Sequence, residues 1–320
     1  MSLIEQAAKR LAELRAAGAE LPHSLAEGEL PSVRSDIAPT PEAVVRTLDG
    51  RPPAATQGHD VAAQRATTRV TVARAPLRRV EINLAQLAKR GFITPEAATS
   101  QTADEFRVIK RPIIRNAIGQ EGSNAKNRNL VMVTSALPAE GKTFTAVNLA
   151  MSVAMELDST VLLVDGDVAH PSLPTLLGVP NAPGLLDLLT RDDLDVGDAL
   201  IRTNVEKLTV LPAGTHQRRA TELLASEQMA NLLRELASRY SDRIIIFDSP
   251  PLLATTEARV LATHMDQIIM VVAADTTTQH TVSQALATIE NCEIVLMMLN
   301  KASRTDVGTY YGYYAVDETA

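Results

Sequence analysis

Tryptophan is missing from this 320-residue chain, and all aromatic residues together make up 3% of it. Apolar residues still reach 45%, so a substantial core is possible, but it must be aliphatic. Interiors rich in Val, Ile and Leu belong to parallel sheets covered by helices. Cysteine occurs once, as Cys292, which excludes an internal disulfide and fits a reducing compartment. Its simplest reading is a small apolar residue beside a strand. No apolar run nears the ~20 residues of a membrane-spanning helix. The longest, Ile268–Ala274, suits a buried strand. The opening Met-Ser-Leu-Ile-Glu-Gln does not read as a signal peptide, because Glu5 interrupts any apolar stretch. These absences point to a cytoplasmic protein. A strongly basic face is lacking as well. The net charge is −7, with 17 Lys/Arg against 13 Asp/Glu in residues 1–120 and 14 against 25 in the remainder. An acidic main domain argues against nonspecific nucleic-acid binding.

What is present is unevenly placed. Of five tyrosines, Tyr310, Tyr311, Tyr313 and Tyr314 fall in the last eleven residues, and Tyr240 ends an expected helix. A globular domain spreads this side chain through core and rim, because the ring is a large apolar body with a polar tip. Here the run follows the last apolar strand, with little beside it to pack. Its physical content is a comb of phenolic hydroxyls; an adhesive aromatic patch or a disordered end is the competing reading.

Four regions follow from the pattern. Ser2 and Glu5 form a capping box, and Leu3, Ala7, Leu11 and Leu14 recur at helical spacing, so residues 1–17 read as a short amphipathic helix stopped by Gly18. Its polar face mixes Glu5, Lys9, Arg10, Glu13 and Arg15, which suits a protein partner better than a membrane surface. Residues 18–79 have the Pro/Ala-rich composition of a flexible linker. Residues 80–305 form the main domain, and 306–320 the tyrosine-rich tail. A helix is expected over Gln101–Lys110, ending before Pro112. Strands are expected over Leu130–Thr134, Thr160–Val164, Leu208–Leu211, Arg243–Phe247, Gln267–Ala273 and Ile294–Leu299. Helices are expected over Lys142–Met155, Ala220–Arg239, Thr256–His264 and Thr277–Glu290. Alternation of this kind predicts an α/β fold, a parallel sheet with helices on both faces, and a ligand at the carboxyl ends of its strands.

Two kinds of motif fall there. Ala136-Leu-Pro-Ala-Glu-Gly-Lys-Thr143 follows an apolar strand and opens a helix, as a P-loop does. Successive backbone N–H groups and the helix N-terminus bind phosphate oxygens. Lys142 then reaches the β/γ-phosphates and the Thr143 hydroxyl holds Mg²⁺. Ala136 replaces the first glycine of the pattern, which implies an ordinary backbone region there. Val161-Leu-Leu-Val-Asp-Gly-Asp167 ends a buried strand on two carboxylates, and Ile244-Ile-Ile-Phe-Asp-Ser-Pro-Pro251 ends another on Asp248. Strand-end acids beside a phosphate loop supply oxygen ligands to Mg²⁺, and one can take a proton from an attacking hydroxyl. Helix capping is the alternative for Asp165 or Asp167.

In this combination the chain resembles the bacterial tyrosine kinases (BY-kinases), over about residues 100–320. Residues 1–17, Asp104–Pro112 and the stretches Leu211-Pro-Ala-Gly and Ala220-Thr-Glu-Leu-Leu resemble the cytosolic, exosortase-associated subgroup linked to exopolysaccharide production. The resemblance implies a P-loop NTPase-like fold, ATP and Mg²⁺ as cofactors, and autophosphorylation of Tyr310, Tyr311, Tyr313 and Tyr314. It places nucleotide binding on Pro138, Ala139, Glu140, Gly141, Lys142, Thr143, Phe144 and Asn300, the last against adenine. It places the metal on Thr143, Asp165 and Asp248, and catalysis on Lys142, Asp165 and Asp167, with Asp167 as base. It implies a homo-oligomeric ring joined through Asp104, Arg107 and Lys110. It also implies a membrane-bound activator of the chain-length-determinant type, a tyrosine phosphatase, and attachment to the inner membrane only through such a partner. The family's Glu-x-x-Arg-x-x-Arg is represented by Asp104, Arg107 and Lys110; both substitutions keep the charge, but Lys110 loses the bidentate fork of arginine. His170 stands where many relatives place an arginine, with the nearby Arg218 and Arg219 as candidate substitutes. The rivals are a partition or positioning ATPase and a nucleotide-switched adaptor. The first needs a lysine where Leu137 stands; the second needs lost chemistry, whereas Lys142, Thr143 and the three aspartates are intact.

Overall fold

The computed structural model describes residues 78–118, 128–239 and 242–302. By internal contacts the chain divides into Met1–Arg69 and Val70–Ala320, and the described residues all belong to the second unit. The expected N-terminal helix, the linker as far as residue 77, Tyr240 and the tyrosine tail lie outside them.

Strands β2 (Leu130–Ser135), β3 (Thr160–Asp165), β6 (Arg243–Asp248) and β7 (Gln267–Ala273) are apolar on both faces and fill the centre of an eight-stranded sheet. The remaining strands are β1 (Arg78–Val80), β4 (Ile201–Thr203), β5 (Leu208–Leu211) and β8 (Ile294–Asn300), and the order is β1-β4-β5-β3-β6-β2-β7-β8. All neighbours are parallel except β4 and β5, a short antiparallel hairpin. Sequence reasoning missed β1 and β4, each only three residues long. Strand β1 begins at Arg78, so regular structure starts just inside the stretch expected to be linker.

Because side chains alternate across a strand, consecutive residues feed two separate cores. Val131, Val133, Leu163 and Ile246 pack under α1 (Leu84–Lys89), α2 (Gln101–Ile118), α3 (Lys142–Ala154) and α4 (Leu173–Leu177). Met132, Leu162, Val164 and Phe247 pack under α5 (Leu185–Leu188), α6 (Val196–Ala199), α7 (Ala220–Leu224), α8 (Glu227–Arg239), α9 (Thr256–Ala262) and α10 (Gln279–Leu286). The long helix expected over Ala220–Arg239 is thus two helices, with Ser226 accepting the Met229 N–H to start the second.

Helix α2 corrects two expectations. It does not end before Pro112 but continues through it to Ile118. A proline inside a helix costs about 3 kcal/mol or more. Burial of Ala103, Phe106, Ile113 and Ala117 along one face offsets that cost. Nor do Asp104, Arg107 and Lys110 form one charged stripe. Residues three apart step round a 3.6-residue helix by about 60° each time, so the third points elsewhere than the first. Asp104 and Arg107 are exposed and paired with each other. Lys110 is only 4% exposed; it donates to the Ser152 carbonyl (2.7 Å) and pairs with Glu156 (2.8 Å). It is a tie between α2 and α3.

Hydrogen bonding from Lys110 is the main reason that the Glu156 carboxyl sits below the ordinary carboxylate range. Truncating this lysine leaves Glu156 and the Ser152 carbonyl without their buried donor. Lys110→Ala should therefore lower stability by about 2 kcal/mol, while Asp104→Ala and Arg107→Ala, at an exposed pair, should each stay within about 0.5 kcal/mol. Urea denaturation of the three variants checks this; equal losses would mean that all three are surface residues.

Candidate active site

The phosphate-loop geometry starts from Gly141, the N-cap of α3, whose φ of 101° suits glycine alone. Ala136 is buried and lies outside the left-handed region, which among the described non-glycine residues holds Ala139, Asp275 and Lys301. The expectation for its backbone holds, and the left-handed turn falls three residues later, on Ala139 with φ 63°. Glu140 is 3% exposed and its carboxylate is fully engaged. It accepts the Leu137 N–H (2.6 Å), the Ala273 N–H (3.2 Å) and the Thr277 hydroxyl. Lys142 and Thr143 open α3 and are half-buried. Leu137 is exposed at the loop's crest.

The aspartates are placed by strand register. Asp165 ends β3 and Asp248 ends β6, and the two are direct partners across that parallel pair. Both are buried. Each keeps one carboxylate oxygen, Oδ1, buried and without a hydrogen-bond partner among the described residues. The other Asp165 oxygen accepts the Leu173 N–H at the start of α4 (3.1 Å), so the capping alternative is realised with one oxygen only. Asp248 Oδ2 faces the Ser172 hydroxyl (3.4 Å), which in turn lies 3.2 Å from the Thr143 hydroxyl. Asp167 is half-buried and accepts the His170 N–H (3.1 Å).

Burial is the main electrostatic fact here. It pushes the Asp165 carboxyl up to about 8, with the neighbouring Asp248 charge adding to the effect. Asp248 is pushed up to about 6 by its own burial, against the lowering influence of the Thr143 hydroxyl and the Lys142 ammonium. Burial also raises Asp167, opposed by the His170 N–H and by Lys142. Two buried carboxylates with orphaned oxygens, beside two hydroxyls, form a hard-oxygen set that fits Mg²⁺. Among the described residues no three His, Cys, Asp or Glu side chains could hold a metal by themselves. That matches an ion taking one or two protein carboxylates and completing its shell with phosphate oxygens and water.

The structure therefore brings together Thr143, Asp165 and Asp248, and sets Lys142 close enough to influence both Asp167 and Asp248. The Asn300 side-chain amide donates to the Glu140 carbonyl (2.8 Å). Phe144 packs on Phe92 with ring centroids 5.1 Å apart, and the Arg90 guanidinium lies 5.8 Å from the Phe92 ring centre. These residues, with Thr143, Ser172 and Leu176, line a cleft of about 360 Å³ that opens beside Thr143. Arg218 and Arg219 are exposed. A second depression, lined by Arg128, Met265, Asp266, Asn291 and Glu293, lies at the opposite ends of the strands and contains none of the site residues. Sequence reasoning missed Ser172, which precedes Leu173-Pro174 and so reads as a helix N-cap. Its side chain makes no cap hydrogen bond and turns to the aspartate instead.

Residues 139–301, just over half of the chain, match the AAA domain family. Tyrosine-protein kinase YwqD of Bacillus subtilis is 29% identical over 231 residues, covering 72% of this chain and 93% of its own. CapB of Staphylococcus aureus, which carries a tyrosine-protein kinase name, is 30% identical over 236 residues, covering 72% of this chain and 99% of its own. Among solved structures, the BceF tyrosine kinase domain superposes with a TM-score of 0.54 at 27% identity, covering 71% of this chain and 94% of that one.

The raised Asp165 gives a pH dependence with a defined sign. The folded chain holds its proton up to about 8, whereas an unfolded aspartate loses it near 3.9. The stabilising contribution is full below about pH 4 and is lost as pH rises toward 8. In EDTA the melting temperature should fall between about pH 5 and 8, and Asp165→Asn should flatten that slope. Circular dichroism melts measure it; an identical slope in the variant would mean that Asp165 ionises normally.

Proposed function

This chain belongs to the bacterial tyrosine-protein kinase family, and we propose that its acceptors are its own C-terminal tyrosines, Tyr310, Tyr311, Tyr313 and Tyr314, presented by one subunit to the site of another. The observation that carries the phosphoryl-transfer chemistry is the pairing of Asp165 with Asp248 against Thr143, with the raised Asp167 next to Lys142; the choice of acceptor rests on the four tyrosines clustered in the last eleven residues. ATP lies with its phosphates on the loop from Pro138 to Phe144. Bound Mg²⁺, held by Thr143, Asp165 and Asp248, would neutralise charge on the β- and γ-phosphates. Lys142 supplies a second positive charge to the transferring group. Asp167 accepts the phenol proton, since burial raises its carboxyl above its ordinary value and so makes it the better base. The phenolic oxygen then bonds to the γ-phosphorus as the bond to the departing ADP oxygen breaks. The cleft beside Thr143, walled by Phe92, Phe144 and Leu176, has room for an aromatic ring.

Exposed Asp104, Arg107 and Val108 on α2 offer a contact between subunits. A tail of roughly a dozen residues tethered next to a neighbouring site sees it at about millimolar effective concentration. Each phosphate adds about −1.5 to −2 charges, so a modified tail is repelled by an acidic domain and the assembly loosens. A phosphatase resets it, a membrane-bound activator recruits it, and the output is control of exopolysaccharide synthesis or export. Among the described residues no helix is long and apolar enough to cross a membrane.

Purified protein incubated with ATP and Mg²⁺ should carry phosphotyrosine at positions 310–314, mapped by mass spectrometry, and Lys142→Ala should carry none. Nucleotide hydrolysis with an unmodified tail would instead favour the partition-type ATPase. Asp167→Asn should cut turnover by about 100-fold or more while ATP affinity changes little; a collapse of affinity would move the base elsewhere. When Lys142→Ala protein is mixed with protein whose four tail tyrosines are phenylalanine, label on the Lys142→Ala chain supports transfer between subunits. A mixture in which neither chain is labelled, although the unaltered protein is, would place transfer within one subunit.

A further inference from the structure

The phosphate loop is held from outside by the ends of β7 and β8. The Asn300 side-chain amide donates to the Glu140 carbonyl (2.8 Å), and the Lys301 ammonium donates to the Ala139 carbonyl (2.7 Å). In a trans peptide the C=O and the following N–H point in opposite directions. Drawing the Ala139 carbonyl outward therefore turns the Glu140 N–H inward, and drawing the Glu140 carbonyl outward does the same for the Gly141 N–H. Inward N–H groups in succession are what bind an anion. The buried Glu140 carboxylate anchors the same stretch to β7 through the Ala273 N–H and Thr277. The fit is close: a Cβ on Gly141 would lie 2.0 Å from the Asn300 amide nitrogen. Ala139, left-handed without being glycine, is a residue that needs holding.

We propose that Asn300 and Lys301, at the root of the C-terminal tail, are positioning residues for the phosphate loop and act on the phosphates rather than on the nucleobase. The inference rests on the reading of residues 136–143 as the nucleotide's phosphate site. It gives Asn300 a role different from the adenine contact that the family resemblance implies.

Calorimetric titration of the full chain with ATP, GTP and inorganic tripolyphosphate, each with Mg²⁺, tests it. Asn300→Ala should weaken all three ligands by a common factor of about three to ten, the loss of one net hydrogen bond. Lys301→Gln, at an exposed side chain that leaves the fold intact, should shift all three in the same direction by a smaller factor. A loss confined to ATP, with tripolyphosphate unchanged, would restore the adenine contact and overturn the proposal. So would unchanged binding of all three ligands in both variants. Should the unaltered protein bind no ATP, the phosphate-site reading itself fails, a result distinct from any difference between variants.

Discussion

Two aspartates on neighbouring parallel strands, in register, are the constraint around which the site is organised. Strands β3 and β6 both end in the layer where the sheet meets its loops, and register makes Asp165 and Asp248 direct partners. Burial and the neighbouring Asp248 charge make ionisation of Asp165 costly and push its carboxyl up to about 8. Each aspartate keeps an oxygen that no donor among the described residues reaches. The sheet thus holds in reserve a pair of carboxylates suited to a divalent ion arriving with its nucleotide. Ser172 links that pair to Thr143, so the start of α3 and the strand-end acids form one connected set.

Rigidity around that set has two sources. Underneath, central strands made of Val, Ile, Leu and Met feed two aliphatic cores, and helices cover both. Fully burying each such side chain contributes about 1.5–3 kcal/mol, which gives an aromatic-poor chain a firm platform. Above, the phosphate loop is not left to its own backbone preferences. Asn300 and Lys301 hold two of its carbonyls from outside, and its own Glu140 carboxylate accepts the Leu137 N–H.

Helix α2 shows how packing overrides local signals. Pro112 argues for a helix end, yet a buried stripe from Ala103 to Ala117 carries the helix past it. Lys110 looks like part of a surface pattern with Asp104 and Arg107. Helical rotation turns it inward, where Ser152 and Glu156 receive it. What remains outside on that helix is the Asp104–Arg107 pair and Val108, a smaller contact face than the spacing of charges suggested.

Strong periodicity and local chemistry were legible without coordinates. Continuous aliphatic runs identified the six longer strands within a residue or so; the central ones are buried on both faces and have few polar positions to blur the signal, and β8 at the edge keeps the same apolar run although Met297 and Leu299 are exposed. The Gly-Lys-Thr at a strand–helix junction and the strand-end aspartates were legible for the same reason: each motif is contiguous and works largely through its own backbone. Short elements without such a run, such as β1, β4 and α5, were not. Their stability comes from neighbours far away in the chain, as when Arg78–Val80 pairs with Ile201–Thr203. Tertiary structure alone decided that Asp165 and Asp248 share a register, that Ser172 turns to the aspartate instead of capping α4, that Lys110 is buried, and that Asn300 grips the Glu140 carbonyl. Each of these depends on groups brought together across the sheet or between helices, and spacing along a chain carries no record of such distances.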